Sequence, residues 1–343
     1  MPEGKKEAFK VTLAAGFKNY GNVFVAIKRP GATNLNPGEE TPDKPASWQE
    51  PIENEGTILW SWHLWITAYN PDSRAHTPEI KADKYQVVSG EVHRYEDGTG
   101  KLLWETGGEY ENKFIMDRNI GARDANSHSN ENERGLLYYQ FGRKDPFPAT
   151  AAVYTQGYGT RSRPSAPIRN RPLKVRADNG VSVARSVYNP TSFYYVEIKG
   201  DINGNNWCSS TDTYGESYIW ADRDVLKDNK DGVSIFDPSP LGWKIPKNTA
   251  FLNFAEADSE GANFVWSNVE HGGSYRNFAY FPATGSRYGD SGNLEVIGTN
   301  AYVWSCVPNS RNSSAMRMSL SSTEVTVSTR GRAQGQPVRS IQR

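Results

Sequence analysis

The segment Thr57–Thr67, TILWSWHLWIT, constrains the fold more than any other part of this chain. Its side chains alternate, so that Ile58, Trp60, Trp62, Leu64 and Ile66 share one face while Leu59, Ser61, His63, Trp65 and Thr67 share the other. Large apolar groups on both faces of a continuous extended run predict a central strand, mostly buried. Three tryptophans on an exposed strand would offer a sugar-stacking platform, but the unbroken apolar run favours the core. His63 is then expected as a hydrogen-bonded core histidine.

The rest of the chain is cut into short pieces by turn residues. Phe9–Leu13 and Asn22–Lys28 read as two strands separated by Gly16 and the Asn19-Tyr20-Gly21 turn. Pro30 to Glu55 is rich in Pro, Glu, Asn and Gly without periodicity, which marks a surface loop or linker and a boundary nearby. Two units follow, a β-rich segment over 1–56 and a larger domain over 57–343. The latter carries a polar insertion at about 69–111, with short strands expected at Tyr85–Val88 and Leu102–Trp104. Leu136, Leu137, Tyr138 and Phe141 predict an amphipathic helix over Glu131–Phe141, closed by Gly142. A second helix is expected over Val183–Tyr188, ended by Asn189-Pro190, and a third begins at Asn248 or Thr249. Strands are then expected at Phe278–Pro282, Ala301–Val307, Ala315–Leu320, Glu324–Ser328 and Pro337–Ile341. Helices followed by closely spaced short strands indicate an α+β class.

Composition bears on function. With 39 Lys plus Arg against 39 Asp plus Glu, the formal charge is zero, and no global field favours nucleic acid or an acidic membrane. The mean hydropathy is −0.70, no stretch of membrane-spanning length is apolar, and 10 Trp, 18 Tyr and 31 Gly suit a loop-rich protein displaying polar surface. The opening Met-Pro-Glu-Gly-Lys-Lys lacks the apolar stretch of a secretory signal, yet strand begins at once, so Met1 is read as a boundary beyond which a leader or upstream domain has been lost. Cys208 and Cys306, 98 residues apart, fit neither a metal knuckle nor a disulfide scaffold; they either pair once or not at all.

Seven blocks in order, ILWSWHLWIT, MDRNIGA (Met116–Ala122), GLLYYQFGRKDPFP (Gly135–Pro148), IFDPSPLGWKIP (Ile235–Pro246), YFPATGSRYGDSG (Tyr280–Gly292), YVWSC (Tyr302–Cys306) and PVRSIQ, resemble the fimbrillin-associated C-terminal module of Bacteroidetes surface proteins. That module is in turn similar to the FISUMP, or major paralogous domain, family. The resemblance implies a C-type-lectin-like domain, with two helices and short twisted antiparallel sheets, preceded by the β-rich N-terminal segment. It implies an extracellular location on a bacterial cell surface or pilus, and a glycan or protein of host or microbe as ligand. Pilus subunits are the other partner it implies. The family's cysteines in its DPCPPGW and terminal VRC blocks are replaced here by Ser239 and Ser340, which removes both members of an implied disulfide together.

No nucleophile elbow, zinc-binding HExxH or phosphate loop occurs, and His63, His76, His93, His128 and His271 lie outside any nucleophile motif, so no catalytic residue is assigned. The architecture is also similar to formylglycine-generating enzymes, but Cys208 and Cys306 are too far apart to match the closely spaced pair those enzymes use. No resident cofactor is expected. Asp201, Asn203, Asn205 and Asp212 occupy positions one, three, five and twelve of a calcium-type loop, but Asn206 stands where the sharp turn needs Gly, so an Asx-rich turn competes with calcium binding. Ligand contacts are expected in the late loops, from Tyr275, Arg276, Asn277, Arg287, Tyr288, Asp290, Asn293, Asn300, Asn309, Arg311 and Asn312. Tyr and Arg give compact contacts there and Asn gives adaptable hydrogen bonds. Such loops would suit a hypervariable region diversified by a retroelement. The expected function is a non-enzymatic adhesin module at a pilus tip; a structural subunit without ligand and a formylglycine-generating-type enzyme are the alternatives.

Overall fold

The computed structural model describes residues 21–28, 58–67, 69, 92–94, 114–122, 137–148, 174–177, 183–195, 206–208, 219–221, 233–255, 257–258, 261–262, 264–275, 279–309 and 314–343. The expected strands Phe9–Leu13, Tyr85–Val88 and Leu102–Trp104, and the Pro30–Glu55 loop, lie outside these residues. Among the described residues the fold is mostly strand, 50% against 7% helical, in several small sheets that are antiparallel but for one parallel pair, Lys174–Ala177 with Ser192–Tyr195. The expected α+β class with two helices is therefore corrected to a β-dominated fold with one α-helix among the described residues, Val183–Tyr188.

Two of the three expected helices take other forms. Leu137–Gln140 is a strand whose residues are all buried, because Tyr138 and Tyr139 need partners on both sides, which a helix face cannot supply. Gly142 does take a left-handed conformation, at φ 91°, but in the turn that returns Arg143 N–H to the Gln140 carbonyl at 3.0 Å. Asn248–Ala255 winds as a 3₁₀ helix that drops Phe251 and Phe254 into the core. Val183–Tyr188 is helical as expected, and Asn189 closes it by returning both its backbone and its side-chain amide to the Arg185 carbonyl.

The strand β1 (Gly21–Lys28) pairs antiparallel with β2 (Ile58–Ile66), and among the described residues these two form a ribbon of their own. The expectation of a central strand at β2 is corrected: Ile58 and Ser61 are buried, Leu59 is exposed, and the other six residues are half-buried. A run apolar on both faces proved compatible with a ribbon laid against the body.

The body holds a five-stranded sheet and a four-stranded sheet. The first runs Leu294–Glu295, Ser286–Arg287, Gly335–Gln336, Leu137–Gln140 and Phe147–Pro148; the second runs Val92–Arg94, Phe114–Met116, Ile341–Gln342 and Trp243–Lys244. A three-stranded meander, Asn300–Pro308, Ser314–Ser321 and Val325–Gly331, packs beside them, and a second covers Phe264–Ser267, Gly272–Tyr275 and Ala279–Pro282. The C-terminal tail stitches these together. Instead of one strand over Pro337–Ile341, it pairs at its two ends and lends the carbonyls of Pro337, Val338 and Ser340 to the amides of Trp304, Ile120 and Met116, each at 3.0 Å. Arg339, fully buried, donates to Asn119 Oδ1 and the Tyr280 carbonyl while lying 3.9 Å from the Phe281 ring centre. Its desolvated charge is thus met by oxygen and ring faces.

Two apolar clusters flank the tail. One stacks Phe251, Phe254, Phe264, Tyr275 and Phe281 with Ile341; the other gathers Tyr139, Phe141, Trp220 and Trp304 with Val338. Trp304 donates its indole N–H to the Tyr139 carbonyl at 2.9 Å, so a buried polar atom is satisfied where the ring supplies bulk.

Candidate binding hairpin

The hairpin between Ser286–Arg287 and Leu294–Glu295 projects Tyr288, Asp290 and Asn293, which are all exposed, Tyr288 at 45%. Its backbone is closed twice: Tyr288 N–H donates to the Asn293 carbonyl at 2.7 Å and Gly292 N–H to the Tyr288 carbonyl at 2.9 Å. Below the loop, Arg287 has no exposed surface. Its guanidinium donates to the Gly292 carbonyl and lies 5.8 Å from the centre of the Tyr138 ring, while Tyr138 itself donates to the Thr284 carbonyl at 2.6 Å. At the base, Ser286 Oγ donates to Glu295 Oε1 at 2.5 Å, and Gly285, at φ 64°, approaches so closely that an added Cβ would lie 2.1 Å from the Glu295 carbonyl oxygen. Only glycine meets both demands. The loop is thereby held from inside, leaving an aromatic ring, a carboxylate and a carboxamide exposed within the six residues Tyr288–Asn293, whose two glycines are buried.

The other expected contact residues distribute differently. Tyr275 is fully buried, its ring 4.1 Å from that of Phe254. Asn300 is half-buried beside the hairpin; its carbonyl accepts from Gly285 N–H and its side chain from Thr299 Oγ1. Asn309 sits at the far end of Asn300–Pro308, roughly 30 Å away at the usual rise per residue, and closes the turn onto Ser314 through both amides. The late loops therefore form two ends, not one surface. Arg276, Asn277, Arg311, Asn312 and the four residues Asp201, Asn203, Asn205 and Asp212 lie outside the described residues. Among the described residues, no group of three or more His, Cys, Asp or Glu could hold a metal ion.

Sequence reasoning missed a buried polar joint under β2. Ser61 Oγ donates to Asp145 Oδ2 at 2.9 Å and accepts from Lys144 Nζ at 2.5 Å, and Lys144 also bonds Asp145 Oδ2 at 2.5 Å and the Ser61 carbonyl at 2.8 Å. A serine touching a lysine amine resembles an activated nucleophile, but Ser61 is 2% exposed and its proton is already committed to the carboxylate. Burial pushes the Asp145 carboxyl up and the Lys144 amine down, each opposed by the other's charge. The arrangement docks β2 to the body. His63 continues the joint, hydrogen-bonded to Asn22 Oδ1 at 2.8 Å with the Tyr139 hydroxyl 3.4 Å from its other nitrogen. Desolvation lowers its pKa to about 4, so the ring is neutral at pH 7. The spacing of Ser61 from Lys144-Asp145 carried no local signal.

Cys208 and Cys306 are both buried, form no disulfide, and lie in separate apolar clusters. Ser239 and Ser340, by contrast, meet: their hydroxyl oxygens are 2.7 Å apart. Asp237 prepares that contact by accepting from Ser239 N–H at 2.8 Å and Ile245 N–H at 3.0 Å, which folds the IFDPSPLGWKIP block back on itself. No described helix is long and apolar enough to cross a membrane. Compared with family models, with curated proteins and with solved structures, the chain matches none.

Proposed function

We propose that this chain is a non-enzymatic binding module of a bacterial cell surface or pilus, gripping a glycan or protein through the Tyr288–Asn293 hairpin. The observation that carries the reading is the division of labour at that hairpin: Arg287 and Gly285 are spent on anchorage, while Tyr288, Asp290 and Asn293 are left exposed. A loop already rigid loses little conformational entropy on binding. A phenol ring can lie on the apolar face of a sugar or fill a protein pocket, and the carboxylate and carboxamide can take hydroxyl or amide hydrogen bonds.

The surface location rests on the resemblance to fimbrillin-associated modules, supported by one contact. Ser239 and Ser340, standing where the family carries cysteines, lie within hydrogen-bonding distance of each other. The burial of Cys208 and Cys306 in different clusters supports a binding role over formylglycine-generating chemistry, which needs two thiols together.

A screen of the protein against glycan and surface-protein arrays tests this reading. Binding by the wild type that falls about 10-fold or more in Tyr288→Ala combined with Asn293→Ala, at unchanged melting temperature, is the expected result. Absence of any binding above background, or binding indifferent to both substitutions, overturns it.

A further inference from the structure

The turn that follows the hairpin carries a residue ill suited to its backbone. Val296, directly after Leu294–Glu295, has φ 48°, in the left-handed region, and is 43% exposed. A β-branched side chain is an outlier there because Cβ crowds the following carbonyl, whereas glycine and asparagine take the same dihedral at little cost. His271 is the other non-glycine residue with positive φ among the described residues, at 51°, and its Nδ1 lies 3.2 Å from the Gly298 carbonyl oxygen, a contact within the chain that offsets its strain. The isopropyl group of Val296 can make no such bond. Its backbone is nevertheless held firmly: the Val296 carbonyl accepts from Thr299 N–H at 3.2 Å, Asn300 N–H at 3.1 Å and Thr299 Oγ1 at 2.9 Å. Gly298 N–H donates to the Ala283 carbonyl at 2.7 Å, and Gly285 packs so closely that an added Cβ would stand 3.0 Å from the Val296 carbonyl carbon. Such surroundings impose the dihedral on whatever side chain stands at 296. Valine there adds a folding cost, and its exposure limits the packing that could offset it.

We propose that Val296 belongs to the ligand-contacting surface and that the ligand is a protein, which covers this isopropyl group with an apolar side chain of its own. The inference rests on the reading of the Tyr288–Asn293 hairpin and names the ligand class of that site. Strained backbone persists where the side chain it presents serves a contact outside the fold. Val296 lies three positions beyond Asn293, at most about 10 Å along the chain, so both fit beneath one interface of the usual ~800 Å² per partner. The neighbouring turn carries a second such group: Val269 is 60% exposed, and that turn is tied to this one by the His271 contact with Gly298 and by Ala283 N–H, which donates to the His271 carbonyl at 2.7 Å. An isopropyl group neither bonds a sugar hydroxyl nor offers a flat ring on which a sugar can stack. It gains by leaving water against another apolar side chain, which a protein supplies.

Melting and binding of Val296→Asn and Val296→Gly, measured together on the whole chain, test it. Asparagine relieves the left-handed strain without the extra backbone freedom of glycine, so the melting temperature of Val296→Asn should be held or raised by up to about 3 °C. Binding to surface-protein arrays should fall about 5-fold or more in both variants, while Ile235→Asn, at another exposed apolar site, should bind as the wild type does. Undiminished binding by both Val296 variants overturns the proposal. So does a lower melting temperature in Val296→Asn, which would assign the valine to packing, and so does wild-type binding confined to glycans or equal loss in Ile235→Asn. Each of those results leaves the hairpin reading intact if Tyr288→Ala with Asn293→Ala still lowers binding; a wild type that binds neither array overturns both.

Discussion

Ser239 and Ser340 are 101 residues apart in sequence, and their contact can be tested by covalent chemistry. Ser239→Cys with Ser340→Cys is expected to form a disulfide on air oxidation, closing a loop whose entropy is worth up to about 4.7 kcal/mol. Thiol titration should then find only Cys208 and Cys306, and only after denaturation; two further thiols reactive in the native protein would show that the side chains do not meet. His63 offers a test in pH. Burial holds its folded pKa at about 4, below the ordinary histidine value of 6.5, so the unfolded chain binds the proton first. Its contribution to stability is present above pH 6.5 and is lost as pH falls toward 4. Asp145 and Asp237, raised by burial, act in the opposite sense at the acid end of this range, so the comparison must be with His63→Gln. The expected result is a shallower loss of melting temperature between pH 6.5 and 4 in that variant; parallel curves would mean that His63 is solvated.

At the scale of elements, the ribbon and the body have different attachments. The body's sheets share the buried C-terminal tail, whereas β1 and β2 are held by the Ser61–Lys144–Asp145 joint, His63, the bond from Asn22 Nδ2 to the Gly121 carbonyl, and the rings Trp60 and Trp65 against Phe236 and Tyr69. Removing the Ser61 hydroxyl leaves Asp145, whose second oxygen already lacks a partner, with only the lysine. Ser61→Ala should therefore cost about 1–3 kcal/mol. Amide exchange is expected to accelerate across β1 and β2 while Ser314–Ser321 stays protected. Equal acceleration in both places would show that the ribbon and body open as one unit. Arg143 marks the contrast: fully within the body, it donates to the carbonyls of Ser186, Asn189, Pro190 and Ser192, tying the helix end to the sheet without any carboxylate.

For the whole molecule, the tail decides cooperativity. Residues Gly335–Ile341 are all buried, and Val338 and Ile341 belong to different apolar clusters. Deleting Gly335–Arg343 withdraws a strand from each of the two larger sheets and the guanidinium that bonds Asn119 and Tyr280. Loss of the near-ultraviolet circular dichroism and of cooperative melting is expected. A truncated chain that still melts sharply would show that the clusters fold apart.

Local chemistry alone determined several features. Turn residues and alternation placed Ala279–Pro282, Asn300–Pro308 and Ser314–Ser321 to within a residue at each end, though not the pairing of the tail, Asn189-Pro190 stopped the helix, and Gly142 turned the chain with positive φ, since each depends on the dihedral limits of the residues involved. Tertiary structure decided whatever depended on neighbours far along the chain. Leu137–Gln140 became strand because the tail lay beside it, Arg287 went inward beneath its own loop, and Asn309 was carried to the opposite end from Asn293. Short apolar runs satisfy either period, and an arginine reads the same in sequence whether it faces a ligand or a buried carbonyl. Only the packing of the surrounding elements distinguishes them, because burial and hydrogen-bond partners are properties of the assembled chain.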